Sequence, residues 1–179
     1  MVINIQTPIL GIAAFSGTGK TTLLRQIIPL LRAKNVRLGL IKHSHHAFEI
    51  DRPAKDSYIL ARAGAVQTVV ASARRTAIIT QKNEADVEPT LWDFVKRLNA
   101  KNLDLILVEG FKHQPIPKIE LHRPILGHPL LCLYDPSVIA VATDVPLANK
   151  INLPILDLND PLAVANYIYA QITKQATIG

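Results

Sequence analysis

The chain has 179 residues, 49% of them apolar, and carries a formal charge of +6 with a pI of about 9.6. That length suits one compact domain with an arm or hairpin added, and the apolar share is enough to bury a full core, which excludes a disordered or fibrous chain. Cys132 is the only cysteine, so an internal disulfide is excluded, as is a zinc site built on thiols.

Pro8 to Ala14 reads as a buried strand, followed by a glycine-rich turn. From Lys20 to about Ala33, Leu23, Leu24, Ile27, Leu30 and Leu31 recur at helical spacing, with Pro29 expected to kink or loosen the last turn. Val36 to His43 predicts a second strand ending in a histidine-rich segment. Asp56 to Ala63 predicts a short helix with Asp56 or Lys55 near its start and Gly64 as its stop, and with Asp56 or Ser57 as its cap. Val66 to Ala71 and Thr76 to Thr80 predict a hairpin across Arg74-Arg75, and Glu88 to Leu98 predicts a helix.

Leu103 to Val108 predicts a buried strand closed by Glu109-Gly110. Lys118 to His122 is a short strand candidate, and Pro124 to Tyr134 reads as loop or as part of an arm. Val138 to Ala142 predicts a strand ending in Thr143-Asp144; a last strand near Ile155 leads into a helix capped by Asn159 or Asp160. Strands alternating with helices predict an α/β fold, a mainly parallel sheet with helices on both faces. The whole chain, 1–179, is expected to form a single nucleotide-binding domain, with an arm around 66–82 and 116–134. Asn4, Gln6 and Pro8 interrupt the amino terminus against a signal peptide, and no run reaches the roughly 18 apolar residues of a membrane span. The basic residues are scattered rather than gathered into a nucleic-acid arm. A cytoplasmic protein with an anionic ligand, binding neither membrane nor nucleic acid, is the expectation.

Ala14 to Thr22 reads A-F-S-G-T-G-K-T-T, a relaxed form of the phosphate-binding loop with Ala14 at the place of its first glycine. Gly17 and Gly19 let the backbone turn successive N–H groups, from Ser16 through Thr18, into one anion-binding hollow. The helix beginning at Lys20 adds its positive end. Lys20 is expected to reach the β- and γ-phosphates, and Thr21, followed by Thr22, to offer a hydroxyl to Mg²⁺. The same metal needs a carboxylate at the end of a neighbouring strand; Glu109 fits, with Gly110 behind it allowing close backbone approach. A strand-end acid in solvent is the plain alternative for Glu109.

Lys42-His43-Ser44-His45-His46 holds three of the six histidines. Imidazoles bind borderline metals, but a loop at the carboxyl end of a strand also meets ligands in open α/β sheets. Lys42, His43, His45 and His46 therefore stand as substrate or partner contacts, as metal ligands, or as plain surface. Asp51 to Ser57 packs several charges before a helix, and helix capping is the simpler use of them.

Taken together, AFSGTGKTTLL, LIKHSHH, DRPAKDS, LDLILVEGFKH and VIAVATDVP resemble the MobB family of molybdopterin-guanine dinucleotide biosynthesis adapter proteins, over about Ile9 to Ala170. The resemblance implies GTP bound with Mg²⁺, weak hydrolysis, and assistance to the guanylyltransferase MobA in attaching GMP to the molybdenum cofactor. It also implies a homodimer formed through a β-rich region. Gly17, Gly19, Lys20, Thr21 and Thr22 match the family's nucleotide loop, and Glu109 matches its Mg²⁺-side acid. Ala54 departs from the glycine usual in D-x-P-G-K-D. The guanine tetrad N-K-x-D is begun by Asn149-Lys150-Ile151-Asn152 without its aspartate, and Thr143-Asp144 occupies a base-binding place instead.

Two other functions fit parts of the same pattern. A small-molecule kinase or ATP-dependent ligase would use His43, Lys112 or His113 as its base. A nickel-insertion accessory GTPase would use the histidines as ligands.

Overall fold

A computed structural model describes residues 7–44, 49–53, 55–81, 89–147 and 151–178. In chain order it contains β1 (Ile9–Ala13), α1 (Lys20–Ala33), β2 (Leu38–Lys42), α2 (Asp56–Arg62), β3 (Gln67–Ser72) and β4 (Arg75–Thr80). There follow α3 (Leu91–Arg97), β5 (Leu105–Glu109), β6 (Lys118–His122), β7 (Val138–Thr143), β8 (Ile155–Asp157) and α4 (Pro161–Ile178). Where the sequence suggests one domain with an arm, the chain forms two compact units, 1–43 with 90–179, and 44–89. The division follows the pairing: β3 and β4 bond to each other and to no other described strand.

The first unit is built on a six-stranded parallel sheet in the order β2-β5-β1-β6-β7-β8. Alternate residues of each strand face opposite sides. Leu10, Ile12, Leu105, Leu107, Ile119 and Leu121 pack with Leu23, Leu24, Ile27 and Leu31 of α1 and with Val164, Ala165 and Ile168 of α4. Ile41, Ile106, Val108 and Ile116 pack with Leu91 and Val95 of α3 on the other side. Helices therefore cover both faces, as the alternation of elements predicts.

Local chemistry sets the element ends. α3 starts at Leu91 because Thr90 and Asp93 close a reciprocal capping box. α4 starts where Asp160 accepts the Ala163 N–H at 3.0 Å. α1 continues through Pro29 to Ala33, since buried Leu23, Leu24, Ile27 and Leu31 hold it on both sides of the missing hydrogen bond. α2 starts where expected, with Lys55 as its N-cap residue, but the expected cap fails: Asp56 already lies inside the helix and no side chain caps it.

Within the segment 116–134 the structure places a strand of the main sheet. Lys118–His122 is an interior strand, and every residue in it is buried. Its polar side is consumed inside the unit: Lys118 Nζ donates to Asp135 at 2.7 Å and to Ser137 at 2.6 Å. Glu120 accepts the Leu131 and Cys132 N–H groups at 2.7 and 2.8 Å, so the connection to β7 is fastened onto the strand. Burial, and then the Glu120 carboxylate, push the Cys132 thiol up to about 11.

The second unit contains α2 and the antiparallel hairpin β3–β4, paired from Gln67↔Thr80 to Ser72↔Arg75. Val69 and Ile78 face each other across the ribbon and are 60% and 65% exposed.

Candidate functional site

β1 ends at Ala13 and α1 begins at Lys20, with the glycine-rich turn between them. Gly17 and Gly19 both have positive φ, 79° and 100°, which an L side chain adopts only with strain. The loop is fastened from within: Thr18, buried, donates its hydroxyl to the Phe15 carbonyl at 2.8 Å. Lys20 Nζ folds back over the loop and donates to the carbonyls of Ala14 and Phe15 at 3.1 and 3.2 Å. Partial burial lowers the Lys20 pKa; Glu109 opposes that shift, while Lys42 and Lys112 add to it. Lys20 thus carries its charge in a partly buried place near two other lysines, an arrangement that a polyphosphate would stabilise. Ser16 and Gly17 are exposed on the loop, and Thr21 and Thr22 are exposed in the first helical turn.

Strand order places partners on both flanks. On one side β5 lies between β1 and β2, with Glu109 in register with Ile12 and with Lys42. Lys42 Nζ stands 3.3 Å from Glu109 Oε2. The His43 N–H donates to the Glu109 carbonyl at 2.8 Å, and the His43 ring stacks on Phe111 with centroids 4.5 Å apart. Gly110 is required here twice over: its φ is +97°, and a Cβ on it would come within 2.7 Å of His43 Cβ. Phe111 itself sits at φ 49°, an uncommon value for an aromatic residue, held between His43 and Phe94.

On the other flank Asp144 follows β7. Its Oδ2 accepts from Arg123 Nη1 at 2.5 Å, and its Oδ1 is buried with no donor among the described residues. Arg123 Nε donates to the Thr18 carbonyl at 3.0 Å, and His128 stacks on Phe15 with centroids 4.3 Å apart. Sequence reasoning did not single out Arg123. Its one signal was position, since it directly follows a strand whose carboxyl end a parallel α/β sheet turns toward its ligands.

The structure therefore gathers Lys20, Lys42, His43 and Glu109 on one flank and Asp144 on the other, around Ser16 to Thr22. His45 and His46 lie outside the described residues. Among the described residues no group of three or more His, Cys, Asp or Glu side chains is placed to hold a metal. No helix of the described residues is long and apolar enough to cross a membrane.

The model for molybdopterin guanine dinucleotide synthesis protein B, MobB, matches residues 9–144, from the first strand through Asp144. The chain belongs to the MobB family. It is 48% identical over 169 residues to the molybdopterin-guanine dinucleotide biosynthesis adapter protein of Escherichia coli (strain K12), covering 94% of this chain and 95% of that one. The protein of the same description from Haemophilus influenzae is 43% identical over 93% of this chain and 90% of its own length. The crystal structure of Bacillus subtilis MobB superposes with a TM-score of 0.72 at 26% identity, covering 92% of this chain and 97% of that chain. The parallel sheet with its phosphate loop is thus a MobB fold.

Proposed function

We propose that the chain binds GTP with Mg²⁺ at the Ser16–Thr22 loop. In this reading it acts as an adapter in molybdopterin guanine dinucleotide biosynthesis, assisting the guanylyltransferase MobA to attach GMP. Family membership supports the pathway. The observation that carries the nucleotide reading is Glu109, brought by strand order beside a loop already bent by two positive-φ glycines. Lys20 exchanges its two carbonyl acceptors for phosphate oxygens, and the Thr21 hydroxyl with Glu109 would hold the Mg²⁺ that arrives with the nucleotide. Lys42, released from Glu109 in the process, turns its charge to the phosphates. Asp144 reads the base: a carboxylate accepts the N1–H and 2-amino donors of guanine and finds no such pair on adenine.

Hydrolysis in this reading is slow. Among the described residues the arginine bonded to the loop is Arg123, and its bonded nitrogens are engaged by Thr18 and Asp144. A homodimer formed through the β3–β4 ribbon covers the exposed Val69–Ile78 pair, since two strands alone are marginal in water. Localisation in the cytoplasm fits such a pathway.

Titration of fluorescent GTP and ATP against the purified chain, with and without Mg²⁺, tests the reading. Tighter GTP than ATP is expected, and Lys20→Ala should weaken GTP on the order of a hundredfold through lost charge-assisted hydrogen bonds. ATP binding as tight as GTP would defeat the guanine assignment, and unchanged affinity in Lys20→Ala would defeat the site.

A further inference from the structure

We propose that Arg123 is a positioning residue that fixes the phosphate loop and Asp144 with one side chain, so that phosphate capture and guanine recognition are coupled. The inference rests on the guanine-nucleotide reading above and adds to it a residue acting through two others.

One end of the bridge is the peptide between Thr18 and Gly19. A trans peptide is planar, and its C=O and N–H point in opposite directions. No described peptide is cis. Arg123 Nε holds the Thr18 carbonyl at 3.0 Å, so it also fixes the Gly19 N–H, directing it away from the guanidinium. That N–H belongs to the stretch of loop whose donors must converge on phosphate. The Gly19 φ of +100° makes the orientation accessible, and the guanidinium lies against this residue: a Cβ on Gly19 would sit 4.0 Å from Arg123 Nη2. Thr18 cannot drift, because its hydroxyl is tied to Phe15 and its side chain is buried.

The other end of the same guanidinium holds Asp144. Nη1 engages Oδ2 at 2.5 Å and so sets the rotation of the carboxylate. Oδ1, withdrawn from solvent, has no donor among the described residues. A buried carboxylate oxygen without a donor is costly, and a ligand N–H offered to it is correspondingly favourable. The edge of guanine carries such donors. Arginine suits this bridge because two different nitrogens of one rigid plane serve the two partners; a lysine ammonium on a flexible stem cannot hold both in fixed relation.

The test compares the full-length chain with Arg123→Lys and Arg123→Ala. Dissociation constants are measured for GTP, for ITP, which lacks the 2-amino group, and for inorganic tripolyphosphate, which lacks the base. Melting without nucleotide checks that each variant folds. In the unaltered chain GTP should bind more tightly than ITP. In both variants GTP should weaken by about tenfold or more, the GTP-to-ITP ratio should approach one, and tripolyphosphate should weaken less than GTP.

Equal weakening of all three ligands, with the ratio preserved, overturns the coupling and leaves loop support alone. Arg123→Lys binding like the unaltered chain overturns it too, since charge would then suffice. If the unaltered chain shows no preference among GTP, ITP and ATP, the guanine reading falls and takes the Asp144 half of the proposal with it. The loop half is then decided by tripolyphosphate, which must still weaken in both variants.

Discussion

The two flanks of the phosphate loop are built on opposite plans. On the β5 side the strand is apolar on both faces and ends in Glu109, whose ion pair with Lys42 at 3.3 Å has the lysine largely in solvent. On the β6 side charges lie inside the strand. Lys118 and Glu120 are 2% and 1% exposed, and each is satisfied by two partners on the connection that follows. The first plan leaves a carboxylate whose partner can be exchanged for a cation arriving with a nucleotide. The second locks the segment that carries Arg123 and His128 against the loop. On the proposed reading the site releases one contact and keeps another: the Lys42–Glu109 pair has its lysine in solvent, whereas Lys118 and Glu120 are buried, and the more buried charge is the more expensive to part from its partners.

The largest effect that would break this contrast is expected at Glu120. Glu120→Ala leaves the Leu131 and Cys132 N–H groups without acceptors in a buried place and should cost about 3 kcal/mol of unfolding free energy. Urea denaturation measures it, and a midpoint equal to that of the unaltered chain would show that the β6 flank is not held as described. Glu120→Gln, which keeps one acceptor oxygen, should fall between the two.

A smaller effect with a more telling sign is expected at Glu109. Removing its charge in Glu109→Gln takes one negative group away from the phosphates and one partner away from Mg²⁺. GTP measured in excess EDTA should therefore bind as tightly or more tightly than to the unaltered chain. The gain in affinity on adding Mg²⁺ should shrink by about fivefold, the size of a charge interaction of about 1 kcal/mol. An undiminished response to Mg²⁺ would remove Glu109 from the metal side.

The contrast also explains which parts of the molecule were legible beforehand. The β5 flank was legible because its signals are contiguous: an apolar run, then Glu109, then Gly110, with the phosphate loop as context. Helices on both faces followed from alternation alone. On the β6 flank the strand itself is legible at Lys118–His122 but its burial is not, because Lys118 and Glu120 alternate with Ile119 and Leu121 as they would in a half-solvated strand. The partners that satisfy Lys118 and Glu120 are Leu131, Cys132, Asp135 and Ser137, 11 to 19 residues further on, and no local pattern announces them. Arg123 was invisible for a related reason, since its partners Thr18 and Asp144 are 105 and 21 residues away. The cap of α2 failed differently: Asp56 has the right chemistry one position too late, inside the helix instead of before it.

The smallest expected effect compares the two ends of the same strand pair. At the end away from the phosphate loop, just before β2 and β5, Asp104 is gripped by Arg37 through Nε at 3.0 Å, Nη2 at 2.8 Å and the Arg37 backbone N–H at 2.8 Å. At the loop end Glu109 pairs with Lys42 at 3.3 Å. The Arg37 hydrogen bonds hold the Asp104 carboxyl down at about 2, against an ordinary 3.8. A folded-state pKa below the unfolded one gives stability that is present above the unfolded value and is lost as the pH falls through the folded value. The difference in urea midpoint between the unaltered chain and Asp104→Asn should therefore hold steady from neutral pH down to about 4 and close between about 4 and 2. Because both side chains are partly in solvent, the difference should be small and should shrink further in high salt. A gap that persists unchanged to pH 2 would mean that the carboxylate charge is not what joins these strands at their far end.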